Sequence, residues 1–159
     1  MIKNIIEKLK KNKLKISIVE SCTGGMLCSI FTKISGVSDV FSMGLVTYSN
    51  YSKIKILSVP KTIIAKKGAV SKECCKLMVT NLQKLSKSEV CVSITGVAGP
   101  SGGTKTKPVG TVYVGIICNK KLHLKKYNFK KYNRLEIQKA TCAEILILLT
   151  LFPMVLSIW

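Results

Sequence analysis

The chain turns from strand to helix across Val19-Glu20-Ser21-Cys22-Thr23-Gly24-Gly25. The preceding run, Lys15 to Val19, is rich in β-branched residues and predicts a buried strand, and the pattern from Met26 to Ile34 predicts a helix. Ser21 would then present its hydroxyl at the open end of a sheet, and the backbone N–H groups of residues 23–25 would face a bound anion. The alternative is that Ser21 or Thr23 caps the helix and the glycines only allow close packing.

Length and composition predict one folded domain over residues 1–159. Apolar residues make up 47% of the chain and charged residues 21%, and 159 residues are enough to bury a core without cross-links. The seven cysteines include no C-x-x-C pair, and there is one histidine. This pattern argues against a zinc site and against a disulfide framework, and it favours free thiols in a reducing cytoplasm.

The net charge of +19 raises the question of a nucleic-acid partner. The lysines are scattered along the whole chain, no aromatic residues are interleaved with them in a stacking pattern, and no nucleic-acid-binding motif is present. Arg134 is the only arginine, which suggests a compositional bias towards lysine. We therefore predict no specific nucleic-acid partner, only non-specific attraction to polyanions at low salt.

Hydrophobic periodicity predicts helices and strands that alternate along most of the chain. Helices are expected over residues 1–11, 26–34, 50–58, from 71 onward and over 134–151. Strands are expected over residues 15–19, 41–48, 89–94, 108–117 and 121–129, the last two as a hairpin. Asn50 and Ser71 are the predicted N-caps of two of the helices. The predicted fold is α/β, a mixed sheet of about five or six strands with helices on both faces.

The C-terminal residues, Ile145 to Trp159, are strongly apolar. This stretch is shorter than the roughly 20 residues needed to span a bilayer, and Pro153 interrupts it. We favour a buried helix or a subunit interface, with interfacial membrane contact as the alternative and no stable membrane insertion.

The residue types limit the chemistry that the chain can perform. A nucleophilic serine needs a base, and His123 lies on the polar face of a lysine-rich strand, which argues against a serine–histidine triad. A neutral lysine can replace histidine, and Lys53 follows the end of a strand, although a solvated lysine is the default expectation. The seven acidic residues are spread singly, so no metal site is predicted. Glu20 must be paired if it is buried.

Five motifs stand in order along the chain: Glu20-Ser21-Cys22-Thr23-Gly24-Gly25, Val46-Thr47-Tyr48-Ser49-Asn50 with Lys53, Gly68-Ala69-Val70-Ser71, Gly96-Val97-Ala98-Gly99-Pro100-Ser101-Gly102-Gly103 and Lys107-Pro108-Val109-Gly110-Thr111-Val112. In order and spacing they closely resemble the CinA C-terminal domain family, which includes stand-alone nicotinamide mononucleotide deamidases. The resemblance extends over residues 14–149.

The resemblance implies hydrolysis of the carboxamide of nicotinamide mononucleotide to nicotinic acid mononucleotide and ammonia, without cofactor or metal. It implies Ser21 as nucleophile and Lys53 as base, with Tyr48 orienting the lysine or donating to developing charge. Backbone N–H groups after Ser21 or in the loop of residues 96–103 would stabilise the oxyanion. The implied substrate-binding residues are Thr23, Gly24, Gly25, Thr95, Gly96, Gly99, Gly102, Gly103 and Arg134.

The chain departs from the family pattern at four positions. The Gly-Asp-Arg motif at the start of the last helix reads Tyr132-Asn133-Arg134, and the retained Arg134 is predicted to grip the substrate phosphate. Gln138 stands where the family often has a second basic residue, and Ser101 replaces the usual aspartate of the glycine-rich loop.

The sequence thus predicts a cytoplasmic amidohydrolase, a homodimer, acting on a small nucleotide. One alternative is an accessory protein linked to competence or DNA damage, whose basic surface contacts nucleic acid. Another is a decayed enzyme that keeps the fold. Binding to a phosphate backbone would weaken steeply with salt, which separates the accessory protein from an enzyme with a buried nucleotide site.

Overall fold

The computed structural model describes residues 1–152. In chain order the elements are α1 (Ile2–Lys11), β1 (Ile16–Glu20), α2 (Met26–Thr32), a 3₁₀ turn (Val37–Asp39), β2 (Phe41–Val46), α3 (Asn50–Leu57), α4 (Lys61–Lys67), α5 (Lys72–Ser86), β3 (Val90–Gly96), β4 (Thr111–Cys118), β5 (Lys121–Asn128) and α6 (Arg134–Leu151).

The five strands form one mixed sheet in the spatial order β2-β1-β3-β4-β5. Strand β1 runs parallel to both β2 and β3, whereas β4 is antiparallel to both β3 and β5. The carboxyl ends of β1, β2 and β3 therefore meet at one edge of the sheet, which is where ligands bind in open α/β sheets. The predicted mixed α/β sheet of about five or six strands is confirmed, with five strands in residues 1–152.

Helices cover both faces of the sheet, as predicted. On one face α1, α2 and α6 bury apolar side chains that include Ile5, Phe31 and Ile145. On the other face α5 packs on β1, β3 and β4 and buries Met78 and Leu82, while α3 and α4 pack against α5. The core is thus two apolar layers separated by the sheet.

Local details differ from the predictions. The predicted N-cap of α3, Asn50, is wrong, because Ser49 precedes the helix and its hydroxyl accepts a hydrogen bond from the Ser52 N–H at 3.0 Å. Strand β3 continues to Gly96, beyond its predicted end at Ile94. Helix α4 was not predicted, because none of its seven residues is fully buried and it therefore carries no clear apolar stripe.

The predicted apolar tail is described only as far as Phe152, and residues 153–159 lie outside the described part. Within α6, Ile145 and Leu149 are buried while Ile147 and Leu151 are exposed. Over residues 1–152, no helix combines the length and the apolar character that crossing a membrane requires.

Candidate active site

A cavity of about 280 Å³ opens at the carboxyl ends of β1, β2 and β3. It is lined by Ser21, Cys22, Tyr48, Asn50, Lys53, Ala69, Val70, Thr95, Gly96, Val97, Ala98, Gly99, Ser101, Gly102 and Arg134. The three predicted catalytic residues therefore meet in one cavity, although Ser21 is far from Tyr48 and Lys53 in the chain. Five of the predicted substrate-binding residues join them there: Thr95, Gly96, Gly99, Gly102 and Arg134.

The turn of residues 21–25, here called the Ser21 turn, is held by the carboxylate of Glu20. Glu20 is fully buried, and its two oxygens accept hydrogen bonds from the backbone N–H groups of Gly25 at 3.0 Å and Cys28 at 2.7 Å. These groups are at the N-terminus of α2, where helical N–H groups lack intrahelical partners and a negative charge is stabilised. The buried carboxylate is thus paired, as its burial requires.

The backbone of the Ser21 turn is used differently from the sequence-based expectation. The N–H of Gly24 donates to the carbonyl of Ser21 at 3.1 Å, and the N–H of Gly25 donates to Glu20, so neither faces a bound anion. The expectation that the N–H groups of Gly24 and Gly25 would face a bound anion is wrong. The Ser21 carbonyl and the Glu20 carboxylate accept their hydrogen bonds instead. The alternative cap at Ser21 or Thr23 is also wrong, since α2 follows Gly25 and has no side-chain cap. The cavity is not lined by Thr23, Gly24, Gly25 or Gly103.

Replacing Glu20 with glutamine is expected to lower the free energy of unfolding by about 2–4 kcal/mol, because the amide nitrogen of glutamine cannot accept and one buried N–H loses its partner. Urea denaturation measures this effect. The matched control is Glu73→Gln, since Glu73 also lies in the first turn of a helix but is half exposed. Its expected change stays within about 0.5 kcal/mol. Equal effects of the two substitutions would show that Glu20 does not hold the Ser21 turn.

Lys53 is buried beside Ser21. Its Nζ atom lies 2.9 Å from Oγ of Ser21, 2.6 Å from the carbonyl oxygen of Thr47 and 3.4 Å from that of Tyr48, and the side chain is only 1% exposed. Burial lowers the pKa of Lys53 below its ordinary value, because removal from water disfavours the charged amine. The default expectation of a solvated lysine is therefore wrong.

The start of α3 fixes where Lys53 stands. Ser49 and Ser52 form a reciprocal capping box, in which each side chain accepts from the other residue's backbone N–H. The Lys53 N–H then donates to the carbonyl of Ser49 at 3.2 Å, so Lys53 begins the hydrogen-bonded part of the helix. The preceding Thr47 N–H donates to the carbonyl of Glu20 at 2.9 Å, which ties this segment to the end of β1.

Arg134 bridges the mouth of the cavity. Its Nη1 donates to the carbonyl of Gly99 at 2.7 Å, and its Nη2 donates to the hydroxyl of Tyr48 at 2.6 Å. The Tyr48 hydroxyl therefore contacts Arg134, while the same residue reaches Lys53 only through its carbonyl. Asn133 caps α6 by accepting from the Glu136 N–H at 3.0 Å. Asparagine is one of the residues preferred at an N-cap.

The loop of residues 96–103, here called the glycine-rich loop, forms the opposite wall. The Thr95 hydroxyl donates to the carbonyl of Ala69 at 2.9 Å, which joins the end of β3 to the segment before α5. Gly96 allows strand β4 to approach closely, since a Cβ there would lie 2.8 Å from the carbonyl oxygen of Thr111. Gly99 has φ of +80°, a conformation that favours glycine.

Some residues of the site were not assigned a role from the sequence. Ala69, Val70 and Ala98 line the cavity, but apolar side chains carry no chemical pattern, and only their place in the motifs marked them. Gln138 lies outside this cavity and donates from Nε2 to the carbonyl of Cys22 at 2.8 Å, so α6 also holds the residue after Ser21.

His123 lies elsewhere in the fold. Its ring is 4.5 Å from that of Phe152, and it does not line the cavity, in agreement with its exclusion as the base. In residues 1–152, no group of three or more His, Cys, Asp and Glu side chains is arranged to hold a metal ion.

Fold and site together define an α/β protein with a buried serine–lysine pair at the carboxyl edge of a mixed sheet. The chain belongs to the CinA C-terminal domain family, whose profile matches residues 1–152. A CinA-like protein of Thermotoga neapolitana is 49% identical over 112 residues, which are 70% of this chain and 28% of that protein. A CinA-like protein of Petrotoga mobilis is 49% identical over 115 residues, 72% of this chain and 28% of that protein. The chain thus spans under a third of the length of these relatives.

Solved structures of similar proteins share the fold. The competence/damage inducible protein CihA from Agrobacterium tumefaciens superposes with a TM-score of 0.88 at 34% sequence identity, over 94% of this chain and 93% of that one. A CinA superfamily protein from Escherichia coli superposes with a TM-score of 0.81 at 28% identity, over 93% and 90% of the two chains.

Proposed function

We propose that the chain is an amidohydrolase that converts nicotinamide mononucleotide and water to nicotinic acid mononucleotide and ammonia, a step of pyridine nucleotide salvage. The observation that carries the proposal is the buried pair of Ser21 and Lys53, with 2.9 Å between Oγ and Nζ, inside a cavity with an arginine at its mouth. A serine hydroxyl activated by a neutral amine is a nucleophile suited to an amide carbon.

Lys53 is arranged to act as the base. A neutral amine has two N–H donors and one lone pair, and the carbonyls of Thr47 and Tyr48 can accept both N–H groups. The lone pair is then left for the hydroxyl of Ser21. In the first step Ser21 Oγ attacks the carboxamide carbon and its proton passes to Nζ of Lys53.

The remaining steps return Lys53 and Ser21 to their starting states. Backbone N–H groups after Ser21 or in the glycine-rich loop stabilise the oxyanion of the tetrahedral intermediate. Lys53 then protonates the departing nitrogen, which leaves as ammonia, and an ester on Ser21 remains. A water molecule attacks this ester while Lys53 takes a proton from the water and passes it to the departing Oγ of Ser21, and nicotinic acid mononucleotide is released.

The phosphate of the substrate is assigned to Arg134. A guanidinium group carries five N–H donors, and only one from each Nη atom is engaged with Gly99 and Tyr48. The remaining donors can bind phosphate oxygens at the mouth while the nicotinamide ring reaches towards Ser21. We also propose a cytoplasmic homodimer, for which the mass in solution is the test.

The test of this function is ammonia release from nicotinamide mononucleotide by the purified chain. One ammonia is expected for each nicotinic acid mononucleotide, with both products measured in the same sample. No release by a folded chain would contradict the proposal and favour the accessory or decayed alternatives. DNA binding at increasing salt would then separate those two, because phosphate-backbone contacts weaken steeply with salt.

Arg134→Lys is expected to raise KM for nicotinamide mononucleotide about tenfold with little change in kcat, because a contact made equally in ground and transition states is lost. Lysine offers a single point charge and lacks the planar guanidinium group, so it cannot give a phosphate two parallel hydrogen bonds. The measurement is initial-rate kinetics, with Lys139→Arg as the control, since Lys139 is exposed on the same helix and outside the cavity. An unchanged KM would remove Arg134 from the phosphate site.

A further inference from the structure

A second cavity of about 600 Å³ adjoins the catalytic one. The two cavities share Ala98 and Arg134 as lining residues, so Arg134 stands between them. The other walls of the second cavity are Pro100, Val109, Tyr132, Asn133, Leu135 and Gln138. Nothing in the proposed mechanism uses this cavity, because the serine and the lysine line only the first one.

Aromatic rings lead up to the second cavity. The rings of Tyr127 and Phe129 are nearly parallel, 5° apart with centroids 5.5 Å apart, and those of Phe129 and Tyr132 are 8° and 6.1 Å apart. Tyr132 is the last ring of this ladder, and it lines the cavity while 49% exposed. A flat heteroaromatic ring is the ligand group that extends such a ladder by stacking.

The position of Arg134 suits an anion that spans the two cavities. Its bonds to Gly99 and Tyr48 hold the guanidinium at the shared wall and leave other N–H donors unused. Pyrophosphate oxygens are ligands that arginine binds with two parallel hydrogen bonds. The strongly basic chain, with a net charge of +19, also favours a ligand with more than one negative charge.

We infer that the second cavity is a subsite for the second nucleotide of a pyridine dinucleotide. Its base stacks on Tyr132, its pyrophosphate meets Arg134, and its nicotinamide carboxamide lies against Ser21. This inference rests on the proposed function and uses the same steps: water replaces the amide nitrogen, ammonia leaves, and the dinucleotide becomes its carboxylate form.

The first test compares ammonia release from nicotinamide adenine dinucleotide and from nicotinamide mononucleotide, expressed as the ratio of their kcat/KM values. Tyr132→Ala is expected to lower this ratio by about tenfold, the effect of losing one base–aromatic stack. Tyr132→Phe keeps the ring and should keep the ratio. Tyr51→Ala is the control, since Tyr51 is exposed and lines neither cavity. A ratio that Tyr132→Ala leaves unchanged, or no release from the dinucleotide by the wild-type chain, would overturn the inference.

A second test does not depend on catalysis. Adenosine 5′-monophosphate, the isolated second half of the dinucleotide, is titrated into the wild-type, Tyr132→Ala and Tyr132→Phe chains by calorimetry. We expect binding that Tyr132→Ala weakens by about tenfold and Tyr132→Phe preserves. This result in a chain that releases no ammonia would refute the proposed function and support the subsite. Equal affinity for the wild-type and Tyr132→Ala chains would refute the subsite even in an active amidase.

Discussion

Ser21→Ala is expected to abolish ammonia release from nicotinamide mononucleotide, a loss of about 10⁴-fold or more in kcat, because the atom that attacks the carboxamide is removed. The fold should persist, since only the contact between the Ser21 hydroxyl and Lys53 is lost. The expected cost in the free energy of unfolding is about 1 kcal/mol. Steady-state ammonia release and urea denaturation of the same preparations measure the two effects.

Ser29→Ala is the matched control for this loss. Ser29 lies in α2, close in sequence to Ser21, but its side chain is exposed and does not line the cavity. Its rate and stability should equal those of the wild-type chain. A Ser21→Ala variant that keeps a wild-type rate would refute the role of Ser21 as nucleophile. The amidase proposal would then need a water molecule activated directly by Lys53.

Much of the fold could be predicted because its determinants are local. The apolar run before Ser21 and the periodic apolar positions of α1 mark a strand and a helix without reference to the rest of the chain. The error at the start of α3 arose because two neighbouring residues offer equivalent local signals. Ser49 and Asn50 are both good capping residues, and the cap falls on Ser49 because Ser52 returns a second hydrogen bond to it.

The contacts of the site depended on information that the sequence pattern does not contain. Ser21 and Lys53 are 32 residues apart, and they meet because β1 and β2 are parallel neighbours whose carboxyl ends lie side by side. The periodicity of either strand does not specify its partner. Only the resemblance to a family predicted that Ser21 and Lys53 act together. The burial that lowers the pKa of Lys53 is visible only in the folded structure.

Glu20 shows the same limit on a smaller scale. The sequence could state that a buried Glu20 must be paired, but it could not say with which groups. The carboxylate accepts hydrogen bonds from the N–H groups of Gly25 and Cys28. The Gly25 N–H is one of the groups that the sequence analysis assigned to a bound anion. Burial and the nearby Glu20 carboxylate also raise the pKa of the Cys28 thiol, which keeps this neighbour protonated.

Lys53→Met is expected to lower ammonia release by about 10³-fold or more, because the base that accepts the Ser21 proton is lost. The same change is expected to remove a pH-dependent cost in stability that the buried lysine imposes at low and neutral pH. Burial lowers the pKa of Lys53 in the folded chain below the ordinary value of 10.5 that it has when unfolded. The protonated lysine therefore lowers the stability of the folded chain, because the folded chain binds this proton less tightly than the unfolded chain does.

The cost in stability that Lys53 imposes is expected to fall as pH rises. Below the folded-state pKa both states are protonated and the full cost is present, about 1.4 kcal/mol for each unit of lowering. The cost declines as pH rises from the folded-state pKa and is gone above 10.5, where both states are neutral. The stability gained by Lys53→Met should follow the same course, with a pH-independent offset because the carbonyl of Thr47 loses its donor.

The measurement is urea denaturation of the wild-type and Lys53→Met chains between pH 6 and pH 10, and the informative quantity is the change of their difference with pH. Lys55→Met is the matched control, since Lys55 lies in the same helix but is exposed, and its difference from wild type should not vary in this way. A Lys53→Met difference that is constant with pH would mean that burial does not hold Lys53 ready to lose its proton. Ser21 would then lack its base, even though the two side chains are in contact.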